Sequence, residues 1–213
     1  MPPICQLPHP LTWAVTGVAV LIRMKVGKIR LTDPISKYLP AMKNPKVMVE
    51  TVDYNIDITP DGKYVIASNT GTQKNNGNAE VIIEATGAHP QVVDIMSPGT
   101  GPEAFAISPN GKWAVTPLLL GLGAKSSDWF KTRGGELVVM SIDAGGKLTV
   151  TGKATLGVLP EGIAFSPNSE YVYVGNYVDK NMQVFRVVNG KPVQVGPNLK
   201  LPGQPASMRG LAR

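Results

Sequence analysis

Cysteine and histidine are almost missing from this chain. Its 213 residues hold one cysteine, Cys5, and two histidines, His9 and His89. A single cysteine excludes an intrachain disulfide, and so few nitrogen and sulfur ligands argue against a zinc or iron centre built within one chain. Concentrated charge is missing too. The formal net charge is +6, but the lysines are scattered, and nucleic-acid binding would want a basic run. No long hydrophobic run exists: the apolar stretch 11–24 is too short to span a bilayer, and its flanks are wrong for a signal peptide. The expected place is therefore the cytoplasm, with neither membrane nor nucleic acid as partner. No Gly-x-Ser-x-Gly elbow occurs, and no Ser-His-Asp order can be assembled. The run GLGAKSS, 121–127, lacks the Gly-x-x-x-x-Gly-Lys-Ser/Thr spacing of a phosphate loop.

Glycine and proline, by contrast, are plentiful at 23 and 19, which favours an all-β chain with many turns. An apolar content of 43% is enough for a packed core in one or two domains. The organising feature is a stretch that occurs three times. NIDITPDGKYVIASN (55–69), AFAISPNGKWAVTP (104–117) and GIAFSPNSEYVYVGN (162–176) each read as a short strand, a turn opened by proline, and a second β-rich run. The turn prolines are Pro60, Pro109 and Pro167, and periods of this length holding about four strands are the mark of propeller blades. Blade one is expected to use strands near 55–59, 63–68, 79–85 and 91–96. Blade two takes 104–108, 112–120, 136–142 and 147–155; blade three takes 162–166, 170–176, 181–187 and 192–200. Residues 201–209 read as the first strand of a further blade.

The first 52 residues have a different character. Residues 1–10 are a Pro-rich lead-in. Residues 11–25 pattern as a helix capped near Gly27, followed by a strand at 28–31. A short helix then opens at Asp33-Pro34 and runs to Tyr38. The stretch TGVAVLIRMKVGKIRLTDPISKYLPAMKNPKV, 16–47, closely resembles the β-lactamase-like serine esterases of penicillin-binding-protein type, over roughly 9–52. That resemblance places the family's Ser-x-x-Lys motif at 10–13, where this chain has Pro10 and Trp13. Proline offers no hydroxyl and indole no base, so the covalent chemistry cannot run. The segment reads as a helical appendage without an active site.

From residue 57 onward the chain resembles the YVTN-type β-propellers, akin to lactonase-like seven-bladed proteins. The resemblance is carried by DITPDGKYVIASN, QVVDIMSPGTGPEAFAISPNGKWAV, LPEGIAFSPNSEYVYVGNYVDKNMQVFRV and LPGQPASMRG. Together the readings give an all-β fold: a helical segment at 1–52 and a partial propeller of about three blades plus one extra strand at 53–213. The two resemblances imply a rearranged gene, an esterase fragment joined to the back half of a propeller. Three blades leave strand edges and sheet faces open, which proteins avoid by closure or covering. A homo-oligomer, most simply a dimer, would close a ring of six to eight blades.

Few residues are candidates for chemistry. Glu103 and Glu161 follow proline at the starts of two blades, where innermost strands lie near the channel of a propeller. There they are placed to hold a divalent cation such as Ca2+ or Mg2+, or to orient a catalytic water. The plain reading is a glutamate after proline in a solvated turn. The matching positions elsewhere are Tyr54 and Ala206, so the ring of carboxylates is incomplete. The insertion 118–135 carries Trp129, Phe130, Lys131 and Arg133, an aromatic pair beside two cations, suited to an anionic or aromatic ligand or to plugging the channel mouth. Asn69 and Asn176 read as turn-bonding residues, His89 as a solvated turn residue, and Ser207 as structural. Two functions remain: an assembly and binding module, or an ester or lactone hydrolase in which a channel carboxylate or metal activates water.

Overall fold

The computed structural model describes residues 55–69, 79–86, 90–121, 133–208 and 210. All of them fall in one compact unit, Asp53–Arg213. The appendage expected over 1–52, with its helices and esterase-like stretch, lies outside the described residues.

Three copies of one turn build the described part. In each, a hydroxyl residue precedes the proline and bonds twice. Thr59 Oγ1 donates to Asp61 Oδ1 at 2.6 Å and accepts from Tyr64 N at 3.0 Å. Ser108 Oγ does the same with Asn110 and Trp113, and Ser166 Oγ with Asn168 and Tyr171. The Asx oxygen then accepts the amide two residues on, from Lys63, Lys112 and Glu170. Proline presets the first turn residue, and the side chains satisfy amides that the turn leaves without a backbone partner. The turn therefore folds from local sequence alone, and it sets the register of the strands it joins.

The described residues form thirteen strands, in chain order. β1 (Ile56–Ile58), β2 (Tyr64–Asn69), β3 (Ala79–Glu84) and β4 (Gln91–Met96) form the first blade. β5 (Ala106–Ile107), β6 (Trp113–Leu118), β7 (Glu136–Ile142) and β8 (Leu148–Thr155) form the second. β9 (Pro160–Phe165), β10 (Tyr171–Asn176), β11 (Asn181–Val188) and β12 (Lys191–Gln194) form the third, with β13 (Leu199–Lys200) paired to β11 beside them. Every pairing is antiparallel, and the sheets follow chain order from the innermost strand outward. Among the described residues there is no helix.

Alternation along the strands gives each blade two faces. The front of blade one (Ile66, Ile82) packs with the back of blade two (Ala114, Leu118, Val138, Met140) in one cluster. The front of blade two (Val115, Leu137, Val139) packs with the back of blade three (Ile163, Phe165, Val172, Val174, Phe185) in another. A second rule recurs further out. The hairpin of each following blade brings a glycine onto the aromatic that opens the second strand of the blade before. A Cβ on Gly146, at φ 80°, would stand 2.7 Å from the Tyr64 ring. One on Gly190, at φ 77°, would stand 3.3 Å from Trp113 and 2.8 Å from Thr151.

Strand boundaries depart from the sequence reading in three places. β5 is only two residues long: Pro117, on the facing strand opposite Ala104, has no N–H for the ladder, and the Ala104 carbonyl accepts from the Thr116 hydroxyl at 2.7 Å. The last strand of blade three, expected over 192–200, is broken. Gly196 turns the chain at φ 70°, and Gln194 Nε2 donates to the Gly196 carbonyl and to Asn198 Oδ1, splitting the strand into β12 and β13. Residues 201–208 form no strand, yet they lie where another inner strand would. A Cβ on Gly175 would meet Pro205 Cβ at 2.7 Å, and one on Gly162 would meet Met208 N at 3.2 Å. The facing pair Gly162–Gly175 is the shelf they rest on.

Candidate functional site

The connections into blades two and three share the pattern Gly-x-x-Pro-Glu: Gly99 to Glu103 and Gly157 to Glu161. Their backbones agree, since Gly101 at φ 70° and Leu159 at φ 56° take the same left-handed step just before the proline. Each opening glycine is pressed against the end of the second strand. A Cβ on Gly99 would run into Leu118 Cδ1, and one on Gly157 would stand 2.7 Å from Asn176 Cγ. Leu118 holds its connection by packing. Asn176 holds the other by bonding: its Oδ1 accepts from Gly157 N at 3.0 Å, and its Nδ2 donates to Asn181 Oδ1 and Gln183 Oε1. The long-range bond to Gly157 goes beyond the local turn contact expected of Asn176. The side chain of Asn69 lies outside the described residues.

Glu103 and Glu161 therefore occupy equivalent places at the starts of successive inner strands. Glu103 is buried, at 8% exposure. Its amide donates to the Pro117 carbonyl at 3.0 Å, and its own carbonyl accepts from Asn55 Nδ2 at 3.2 Å. Glu161 is half-buried inside β9, at the bulge where Asn176 pairs with Pro160 and Gly175 with Gly162. Neither is a freely solvated turn residue. Among the described residues no three His, Cys, Asp or Glu side chains are grouped to hold a metal ion, so any cation here would rest on these two carboxylates and on carbonyls.

The insertion is described only at its ends. Arg133 is exposed where the chain re-enters before β7, whereas Trp129, Phe130 and Lys131 lie outside the described residues. His89 lies outside them as well. Ser207 is exposed, on the segment that rests against Gly162. At the opposite end of the inner strands, an open cleft of about 300 Å³ lies between the turns of blades one and two. Its carboxylates already serve as turn caps. Asp61 accepts from Thr59 and Lys63, which holds its carboxyl below the usual range, and Asp143 Oδ1 accepts from Gly145 N and Lys147 N.

One titratable group escaped the sequence reading. Glu80 on β3 is fully buried on the front face of blade one, and its Oε2 accepts from the Ser68 hydroxyl at 2.6 Å. Burial pushes its carboxyl up to about 8, against a smaller downward pull from the hydroxyls of Ser68 and Thr116. At neutral pH it is a neutral acid between two blades. The register pairs Ser68 with Glu80, Pro117 with Leu137 and Gly175 with Met182, so the other blades carry leucine and methionine at this place. That mismatch was the available signal: one glutamate in the alternation AEVIIE, on the same face as Ile82. Sealed from solvent, the acid acts within the blade interface and not on a bound ligand.

No protein-family profile matches the chain, and no curated protein matches it. Solved structures do. A 6-phosphogluconolactonase-like protein of Bacteroides fragilis is similar with a TM-score of 0.58 at 17% identity, over 71% of this chain and 40% of that one. A second, from Bacteroides uniformis, gives 0.53 at 21% identity, over 73% and 43%. The Cps50 (Swd1) β-propeller domain of Myceliophteria thermophila gives 0.52 at 15% identity, over 73% and 46%. The chain thus spans less than half the length of each of these neighbours. No helix among the described residues is long and apolar enough to cross a membrane. At such identities the likeness is one of fold, and the fold is a partial β-propeller of three blades.

Proposed function

We propose that this chain is an assembly module, a half-propeller that associates with a second copy to complete a ring. The observation that carries the reading is the front face of blade three. In blades one and two the positions matching Leu199, namely Met96 and Ala154, pack into the interface with the next blade, while here Leu199 stands 50% exposed and Val195, on the same face, 43%. Exposed apolar surface of this kind, on an open sheet face, marks an association site. A homodimer joins six blades, within the range that propellers use. Light scattering at micromolar concentration is expected to give twice the chain mass; a monodisperse monomer refutes the reading.

A second reading is favoured by the lactonase-like neighbours: hydrolysis of a lactone or carboxylic ester. In it Glu103 and Glu161 sit at the channel ends of inner strands and orient a water, with or without a Ca2+ or Mg2+ ion. Turnover of a lactone or p-nitrophenyl ester, lost after chelator treatment and restored by the cation, supports the metal form of this reading. No turnover under any condition leaves the assembly module alone.

A further inference from the structure

Three Asx-Gly pairs lie in turns among the described residues: Asp61–Gly62, Asn110–Gly111 and Asn189–Gly190. A fourth, Asn76–Gly77, lies outside them. The dipeptide carries chemistry of its own, because glycine has no Cβ to keep its amide nitrogen away from the preceding side chain. In the first two pairs that nitrogen is engaged. Gly62 N donates to the Thr59 carbonyl at 2.7 Å, and Gly111 N to the Ser108 carbonyl at 2.8 Å. Their side chains are engaged as well: Asp61 Oδ1 accepts from Thr59 Oγ1 and Lys63 N, and Asn110 Oδ1 from Ser108 Oγ and Lys112 N.

Asn189–Gly190 is built differently. These two residues alone join β11 to β12, inside the pair Val188–Lys191, and they stand at φ 49° and 77°. Positive φ at both places is the type I′ hairpin turn that Asn-Gly favours. The peptide between them takes no part in closing the turn. Among the described residues neither the Gly190 amide nor the Asn189 side chain has a hydrogen-bond partner, and Asn189 is exposed. That peptide is therefore free to flip, from I′ to II′, while the Val188–Lys191 closure stays. In a II′ turn the first central residue has ψ of about −120°, the mirror image of type II. At that angle Gly190 N lies on the side of Asn189 that carries Cβ and Cγ.

We propose that Asn189 is a self-modification site of the folded chain, where the Gly190 amide nitrogen attacks Asn189 Cγ, and that the turn around Asn110 protects its own Asn-Gly pair. Hydroxide takes the Gly190 amide proton, the N–Cγ bond forms, and the Cγ–Nδ2 bond breaks. Nδ2 leaves as ammonia with a proton from water, and a cyclic imide remains. Water then opens the ring at either carbonyl, giving aspartate or isoaspartate, and each adds a negative charge beside Lys191. In isoaspartate the main chain runs through Cβ and is one carbon longer. This turn has no room for it: Thr151 Oγ1 donates to the Gly190 carbonyl at 2.7 Å, and a Cβ on Gly190 would already stand 2.8 Å from Thr151 Cβ. The isoaspartyl product therefore loosens the outer contact between blades two and three. None of this depends on the assembly or hydrolase readings.

The test incubates the full folded chain in mildly alkaline buffer and follows conversion of amide to acid by mass spectrometry, with peptide fragmentation placing each change on a residue. Asn189 should convert at least about tenfold faster than Asn110, since freeing Asn110–Gly111 breaks turn hydrogen bonds that Asn189–Gly190 does not have. In concentrated urea the two rates should converge, because the turns are gone. The isoaspartyl form, separated by ion exchange, should show faster hydrogen exchange across the β11–β12 hairpin than the parent. Asn189→Asp adds the charge without the extra carbon and should exchange as the parent does. Equal rates at Asn189 and Asn110 in the folded chain, or a faster rate at Asn110, overturn the site. An isoaspartyl form whose hairpin exchanges as the parent's does overturns the loosening.

Discussion

The hydroxyl of Ser169 accepts a hydrogen bond from the Asn110 amide at 3.0 Å, tying the turn of blade three to the turn of blade two. Ser169 stands at φ 64°, where the other two turns place Gly62 and Gly111 at 72° and 71°. A left-handed residue with a Cβ costs about 1–2 kcal/mol, and one neutral hydrogen bond returns about 1 kcal/mol. The serine is thus tolerated because its side chain bonds across the blade interface. Ser169→Ala keeps the strain and loses the bond, so urea unfolding should show a loss of about 1 kcal/mol. Ser169→Gly loses both and should stay within about 0.5 kcal/mol of the parent. Equal stability of the alanine variant and the parent would show that the bond contributes nothing.

The glycine hairpins permit a sharper comparison. Gly146 and Gly196 share a left-handed backbone, at φ 80° and 70°, but only Gly146 has a neighbour in the way, the Tyr64 ring at 2.7 Å. Around Gly196 nothing lies within 4 Å. Alanine at 196 should cost the backbone term alone, about 1 kcal/mol. Alanine at 146 adds overpacking against a buried ring and should cost about 1–3 kcal/mol more. The difference between the two denaturation midpoints isolates how much the contact between blades one and two depends on that close approach.

What the sequence made legible was local chemistry repeated. Ser/Thr-Pro-Asx turns followed by β-branched or aromatic runs placed the first two strands of each blade, because those hydrogen bonds close within five residues. What stayed hidden depended on partners in another blade. Glu80 reads as one polar residue in a strand until Thr116, on blade two, is brought near it. Leu118 and Asn176 end matching strands, yet one packs and the other bonds, a difference that becomes visible only once Gly99 and Gly157 are in place. The break between β12 and β13 turns on Gln194 reaching Gly196 and Asn198, a side-chain choice that strand periodicity does not register.

Glu103 and Glu161 separate the two functional readings. Glutamine keeps their size and one acceptor oxygen, replaces the other oxygen by an amide donor, and removes the negative charge that would bind a cation or activate water. On the hydrolase reading, each Glu→Gln variant should unfold as the parent does and lose at least about tenfold in lactone or ester turnover, roughly 1.4 kcal/mol. On the assembly reading, both should leave the dimer mass unchanged. Parental turnover in both variants would remove the channel carboxylates from any mechanism.

The last expectation concerns Glu80, and its sign follows from proton linkage. Burial raises its folded-state pKa from 4.5 to about 8, so between those values the folded chain holds a proton that the unfolded chain has released. Stability from this group is complete below pH 4.5 and falls as pH rises towards 8, by up to about 1.4 kcal/mol per pH unit. Glu80→Gln stays neutral at every pH and still accepts from Ser68, so it should be no better than the parent at pH 4.5 and clearly more stable at pH 8. Urea midpoints from pH 4.5 to 9 test this: the parent curve should decline relative to the glutamine curve, and the gap should stop widening once pH passes 8. Parallel curves across the whole range would mean that Glu80 is ionised in the folded chain and that the interface between blades one and two accommodates its charge.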